Sequence, residues 1–303
     1  MRRFKSFERK PDDMIPRREF IRRSAFAAVL TGMGLDLSAS TANSLNLNVG
    51  ACDWSIGQNS NPAGLAVAKK IGLDGLQVNL GNIENQLHLR DPKIQKQYLE
   101  QSNLLGIPIS SLAIGELNNY PYKSDPQTEA WVSDSIDVAQ AMNLPVILLA
   151  FFNKNDLRGD SQGKKEVIRR LKAVAPKAEK AGVILGIESY LSAAEHLEIL
   201  DAVGSPAVKI YYDFRNSADA GHPIYEEIPL LAKEHFCEIH IKENGKLLRD
   251  GDLDWPRIGE LLAKSDYQGS GWMQIEWSTP EGAEIVSSYQ DNLSFVTKKI
   301  NQK

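Results

Sequence analysis

The stretch 183-VILGIESYLSAAEHLEILDAVGSPAVKIYYD-213 decides the architecture. Its ends, 183-VILGIE-188 and 208-VKIYYD-213, are short apolar runs of strand length, and each stops on a carboxylate. Between them, 192-SAAEHLEILDAVG-204 has the period of a helix and closes on glycine, the usual punctuation of a helix end. Strand, helix and strand follow one another with almost no chain to spare.

The same alternation runs outward in both directions from about residue 46. The other strand-like runs are 47-LNVGAC-52, 75-GLQVN-79, 108-PISSLAI-114, 145-PVILLAF-151, 236-FCEIHI-241 and 272-WMQIEW-277. Helix-period segments separate them: 62–72, 92–106, 126–143 and 164–182 before the opening stretch, and 224–234, 255–265 and a terminal one from about Glu281 after it. Several begin with proline and end on glycine or asparagine. Eight strands, each followed by a helix, over roughly 250 residues is the count and length of a (β/α)8 TIM barrel in the α/β class. A doubly wound open sheet would more usually have six or fewer strands, and no G-x-G-x-x-G turn follows the first strand. No low-complexity linker divides the chain, so residues 43–303 are expected to form one domain.

Composition excludes several function classes. Hydrophobic residues make up 42% and charged residues 24% of the 303, ordinary proportions for a globular protein. The formal net charge of −4, with no basic aromatic-rich stretch, gives no reason to expect nucleic acid as a partner. The two cysteines, Cys52 and Cys237, match no zinc-binding spacing and are expected to be buried free thiols.

The segment 16-PRREFIRRSAFAAVLTGMG-34 pairs Arg17 with Arg18, follows with Phe20 and Ile21, and continues into a short, weakly apolar run. It resembles the twin-arginine export signal, with Pro16 in place of the usual hydroxyl residue, Ile21 for leucine and Arg22 for lysine. The run is too short and interrupted for a membrane span. The small residues of 38-SASTANS-44 offer a cleavage region near Ala42, so residues 1–42 are expected to be a signal peptide and N-terminal segment. A periplasmic or exported destination and the twin-arginine export machinery as a partner follow from that resemblance.

Barrels of this kind carry their chemistry at the C-terminal ends of the strands. Four successive strand ends supply Glu188, Asp213, His240 and Glu276, with aliphatic or aromatic neighbours on the other face of each strand. Read alone, His240 in 238-EIHIKEN-244 is more often a structural histidine than a ligand; read with three converging carboxylates, it is expected to be a ligand. Three carboxylates aimed at one point cannot all stay ionised without a compensating cation. A divalent metal with oxygen and nitrogen ligands supplies one.

This order of Glu, Asp with Asn three residues on, His in an apolar strand, and a late Glu resembles the xylose isomerase-like barrels. More narrowly, it is similar to their sugar phosphate isomerase/epimerase group, which includes ketose 3-epimerases and inosose dehydratase-type enzymes. The resemblance implies that Glu188, Asp213, His240 and Glu276 bind one divalent metal, commonly manganese (Mn2+) and otherwise Co2+, Mg2+ or Zn2+. It also implies that Glu188 and Glu276 are the acid/base pair. The chain departs from the family's pattern at Gln77, Ser189, Ala194 and Glu243, where glutamate, asparagine, a second glutamate and aspartate are commoner. Those departures bear on substrate and reaction more than on the metal.

Candidate substrate contacts are Asn216 and His222 in 213-DFRNSADAGHP-223, Lys242 on the face of His240, and Trp54 and Glu116 beyond the first and third strands. Phe151, Phe152 and Trp277 are aromatic platforms of the type that stacks sugar rings, and His88 and Arg90 lie in the second loop. The expected activity is metal-dependent isomerisation or epimerisation by proton abstraction next to a carbonyl, through an enediolate. Export argues for a free sugar, keto-sugar or keto-glycoside rather than a phosphorylated metabolite. A dehydratase or lyase acting on a keto-sugar or inosose uses the same groups, and a non-catalytic sugar-binding barrel is the reading from another class. Self-association is left open.

Overall fold

The computed structural model describes residues 45–301. The paired arginines, the run that follows them and the expected cleavage region all lie outside the described residues. Eight strands, β1 (Asn48–Cys52), β2 (Gly75–Asn79), β3 (Ile109–Ile114), β4 (Val146–Phe151), β5 (Ile184–Ser189), β6 (Val208–Asp213), β7 (Phe236–Ile241) and β8 (Trp272–Ile275), form a closed barrel in chain order. All pairs are parallel, and β8 closes on β1 from Asn48↔Trp272 to Ala51↔Ile275. The helices are α1 (Gly64–Ile71), α2 (Pro92–Leu105), α3 (Gln127–Met142), α4 (Ser161–Ala181), α5 (Ala193–Val203), α6 (Phe214–Asp219), α7 (Ile224–Leu231), α8 (Trp255–Lys264) and α9 (Ile285–Lys299). No helix among the described residues is long and apolar enough to cross a membrane.

The strand alternation is what builds the two layers. Ile187, Tyr212, Ile239, Ile241 and Ile275 belong to the large buried cluster that joins the strands to the helices. Their neighbours point into the barrel, where Ala113, Val146, Leu148, Ala150, Tyr211 and Cys237 make a small apolar cluster of their own. The rest of the interior is polar, with Gln77, Ser111, Glu238, His240 and Gln274 all fully buried. Gly50 makes room for this layer, because a Cβ there would stand 2.2 Å from Gln274 Oε1. Cys52 and Cys237 are free and buried.

Helices α1, α2, α4 and α5 end on left-handed Gly72, Gly106, Gly182 and Gly204, at the glycines that close those segments in the sequence. Starts differ where side chains cap them. Helix α4 begins at Ser161 rather than 164, because Asp160 accepts the Gly163 amide, and α9 begins at Ile285, behind the Glu284 cap. The 213–223 segment is not all loop: Asp213 caps a short helix, α6, by accepting the Asn216 amide. Strand β8 stops at Ile275, one residue before Glu276, yet the Glu276 amide still bonds the Ile241 carbonyl at 3.0 Å. Glu276 therefore keeps the register of a strand residue.

Candidate functional site

Glu188, Asp213, His240 and Glu276 meet at the C-terminal mouth of the barrel, each offering one ligand atom, with those atoms all within 4.8 Å of one another. His240 Nδ1 lies 3.1 Å from Glu188 Oε1, 3.8 Å from Asp213 Oδ2 and 3.7 Å from Glu276 Oε2. Asp213 divides its carboxyl between two tasks. Oδ1 accepts the Asn216 amide at 2.8 Å, which fixes the side chain, and Oδ2 faces the cluster.

Lys242 reaches into the same group, with Nζ 2.9 Å from Asp213 Oδ2 and 2.8 Å from Glu276 Oε2. Burial works against its ammonium, but Asp213 and Glu276 outweigh that and hold its pKa well above the usual lysine value. Three carboxyl groups converge on one ammonium, and a divalent cation there would compensate their charge. The donor set fits such an ion: three carboxylates and one imidazole nitrogen are hard-to-borderline ligands. Asp213 Oδ2 is buried and accepts no aligned hydrogen bond, which leaves it open to ligate a cation. Cys52 lies close to His240 and Glu276 as well. Burial pushes its thiol far up, however, and it donates to Gln77 Oε1 at 3.2 Å, so it is a neutral donor rather than a thiolate ligand.

The two glutamates sit in different surroundings. Burial opposes ionisation of Glu276, but Lys242 and His240, with donation from Trp54 Nε1 at 2.7 Å, hold its carboxyl below the usual range. Burial pushes the Glu188 carboxyl up, against the pull of His240. Burial likewise opposes protonation of His240, yet Glu276 and Glu188 outweigh it and raise the imidazole to about 9.

Beneath the cluster runs a buried polar column. His240 Nε2 is 2.9 Å from Gln77 Oε1, Gln77 Nε2 donates to Tyr211 and Ser111 at 3.0 Å each, and both hydroxyls donate to Glu238 Oε1. Gln274 adds a third bond to that oxygen and Ser270 one to Oε2. Burial raises the Glu238 carboxyl, against these four donors.

Above the cluster lies a cavity of about 450 Å³, within the range of small-ligand sites. Trp54, Glu116, Asn216 and Lys242 line it together with Glu188 and Glu276. Phe152, Tyr190 and Trp277 line it too, Trp277 being 49% exposed with a left-handed φ of 42°. The far wall is amide-rich, with Asn59, Asn79, Asn82, Asn118 and Asn119. His222 is placed elsewhere: its Nε2 bonds the Tyr190 carbonyl at 2.8 Å and it does not line the cavity. Phe151 faces outward against Tyr122, and His88 and Arg90 line a separate surface depression beside Asp134. Ser189 bonds His196, and Glu195 closes a capping box with Ser192, so neither reaches the mouth. The asparagine wall and the column were not anticipated. Asn79 ends β2 and was visible by the strand-end rule, while Gln77, Tyr211 and Glu238 stand at mid-strand positions on the inward alternation.

Residues 65–299 match the sequence profile of the xylose isomerase-like TIM barrel family. One curated relative, 2-epi-5-epi-valiolone 7-phosphate 2-epimerase of an Actinoplanes species, is 23% identical over 178 residues, 58% of this chain. The match spans 65% of that relative, just under two thirds of its length. Among solved structures, D-psicose 3-epimerase from Clostridium cellulolyticum H10 superposes with a TM-score of 0.72 at 18% identity, covering 84% of this chain and all of that one. The 3-keto-D-glucoside 4-epimerase of E. coli gives 0.66 at 13% identity, over 83% of this chain and 99% of that one. A xylose isomerase domain protein from Planctomyces limnophilus gives 0.66 at 19%, over 86% and 99%. At these identities the structural likeness speaks for the fold.

Proposed function

Since the chain belongs to the xylose isomerase-like TIM barrel family, we propose that it is a divalent-metal-dependent isomerase or epimerase of a neutral carbohydrate, acting next to a carbonyl. The observation that carries this is the convergence of Glu188, Asp213, His240 and Glu276, with ligand atoms within 4.8 Å of one another, beneath a cavity that Glu188 and Glu276 both line. Two glutamates beside one cation site can serve as the base and the acid toward a substrate held in that cavity. That the Actinoplanes relative and several structural neighbours are epimerases supports the same reading.

Glu188, Asp213, His240 and Glu276 would hold the metal. A divalent cation there supplies Lewis-acid stabilisation of negative charge on the substrate oxygens, worth several kcal/mol. Glu276 takes the proton from the carbon beside the carbonyl, leaving an enediolate, and Glu188 returns a proton to the other face. Lys242 donates toward the developing oxyanion, and Trp54 fixes the angle of Glu276. Manganese is the ion we favour. The amide-rich wall supports a free sugar, keto-sugar or keto-glycoside, because amides pair with hydroxyls and, among the described residues lining the cavity, Lys242 is the lone basic one. Residues 1–42, with Arg17 and Arg18, are proposed to direct export.

The test is deuterium exchange into candidate ketoses and keto-glycosides in heavy water with added Mn2+. The parent is expected to exchange the hydrogen beside the carbonyl, and Glu276→Gln to lose exchange while keeping its fold. Retained exchange in the variant would overturn the assignment, and loss of water from the substrate would move the reading to a dehydratase.

A further inference from the structure

The polar column beneath the cluster has a direction, and the direction has a consequence for His240. Glu238 is 0% exposed, and four groups donate to it: Ser111, Tyr211 and Gln274 to Oε1, Ser270 to Oε2. Ser111 and Tyr211 spend their single hydroxyl hydrogens on this carboxylate, at 2.7 and 2.9 Å. Their oxygens can then only accept from the neighbour above, Gln77. The amide of Gln77 must present its NH2 group to them, as it does at 3.0 Å to each. Its carbonyl oxygen is left facing His240 Nε2 at 2.9 Å, and an oxygen without a hydrogen can only accept. Nε2 must therefore carry a proton, and Nδ1 is the nitrogen turned to Glu188, Asp213 and Glu276.

We infer that Gln77, polarised through Tyr211 and Ser111 by the buried Glu238, is a positioning residue that fixes the ring orientation and tautomer in which His240 offers Nδ1 to a divalent cation. This rests on the metal-binding reading above and deepens it. The role falls to a glutamine because one side chain must accept from an imidazole on one side and donate to two hydroxyls on the other. A glutamate would turn an acceptor to Ser111 and Tyr211 and draw their hydrogens away from Glu238. A leucine of similar length would leave the buried Nε2–H only the weak acceptor Cys52 Sγ, 3.3 Å away. Groups that orient a metal-binding histidine through its other nitrogen typically contribute about 10–100-fold to metal affinity.

The experiment uses the full chain, labelled with 15N-histidine and loaded with Zn2+, together with competition titrations of Zn2+ and Mn2+ against a chelator. His240 is identified among the five histidines by its loss in His240→Asn. The expected spectrum shows zinc on Nδ1 and a slowly exchanging proton on Nε2. Gln77→Leu should lose that protection and weaken both ions about 10–100-fold. Tyr211→Phe removes one hydroxyl and leaves the ring edge against His240, 4.6 Å between centroids, so it should weaken binding in the same direction by less. It also serves if Gln77→Leu fails to fold. Zinc on Nε2, or parent affinity and proton protection in both variants, overturns this inference alone. A parent that takes up neither ion overturns the metal reading and this inference with it.

Discussion

The indole Nε1 of Trp54 donates to Glu276 Oε1 at 2.7 Å, so the loop after the first strand grips the carboxylate that follows the last. With Oε2 held by Lys242 at 2.8 Å, neither oxygen of Glu276 is free to turn. Trp54→Phe keeps an aromatic wall and removes the donor. Turnover should fall by about tenfold or more, since a general base is worth about 10²–10⁴ and depends on its aim. The melting temperature should move little, and kcat measured at saturating metal should carry the loss. Unchanged kcat would mean that the bond does not position the base.

Lys242 and a divalent cation compete for the same two oxygens, Asp213 Oδ2 and Glu276 Oε2. Lys242→Met should therefore act in opposite directions on two measurements. Divalent-ion affinity rises by about tenfold, or about 1.4 kcal/mol, because a competing charge is gone, while turnover falls because an oxyanion donor is lost. In the parent, metal at a hundredfold excess over Kd should add about 2.7 kcal/mol of stability. At about 2–4 °C per kcal/mol for a domain of this size, that is a visible shift in Tm. A chelator should reverse it and His240→Ala abolish it. Weaker metal binding in Lys242→Met would show the lysine to be a support of the site rather than a competitor.

His196, buried between the Ser189 hydroxyl at 3.0 Å and the Ser192 carbonyl at 3.1 Å, lies behind the β5 strand end rather than in the cavity. Burial pushes its pKa down to about 4. The native state therefore refuses a proton that the unfolded chain takes up near the ordinary histidine value of about 6.5. Its contribution is complete above that value and is lost as the pH falls toward 4, up to roughly 3 kcal/mol. Asp53, pushed up to about 7 by burial, works in the opposite sense in parent and variant alike. The comparison with His196→Asn isolates the histidine: the variant should be less stable at neutral pH and show a shallower fall between pH 6.5 and 4. Parallel denaturation profiles would sink this account.

The barrel was legible in the sequence because period-two alternation and helix-end glycines are local signals. The four ligand-type residues were legible because a parallel barrel brings all strand ends to one mouth, so one positional rule searched every strand at once. The rule's weakness is visible at Gln77, Tyr211 and Glu238, which stand inside their strands. Their roles depend on which residues face one another across the barrel, and the register slips by one between Leu76 and Gln77 and between Ile210 and Tyr211. His222 and His88 show a second limit. Both lie in loops after strands that feed the site, but where a loop side chain points is set by backbone turns, and these turn away to the Tyr190 carbonyl and to the Tyr98 ring. Glu195 shows a third: its spacing from Ser192 serves a helix cap, which satisfies the carboxylate locally.

The proposed export of this chain makes a prediction independent of any assay for activity. Twin-arginine transport carries folded proteins, so a barrel that needs a metal could acquire it before crossing the membrane. The full chain, expressed in a bacterium with that pathway, should be recovered from the periplasm with a new N-terminus near Ala42. Replacing Arg17 and Arg18 together by lysine keeps the charge and removes only the paired guanidinium groups. That variant should stay in the cytoplasm at full length, with the same melting temperature and metal content as the exported form. A parent retained in the cytoplasm would remove the signal reading, and with it the argument from location that the substrate is unphosphorylated. The amide wall, where Lys242 is the lone basic residue among the described ones lining the cavity, would then be the remaining support for an unphosphorylated substrate.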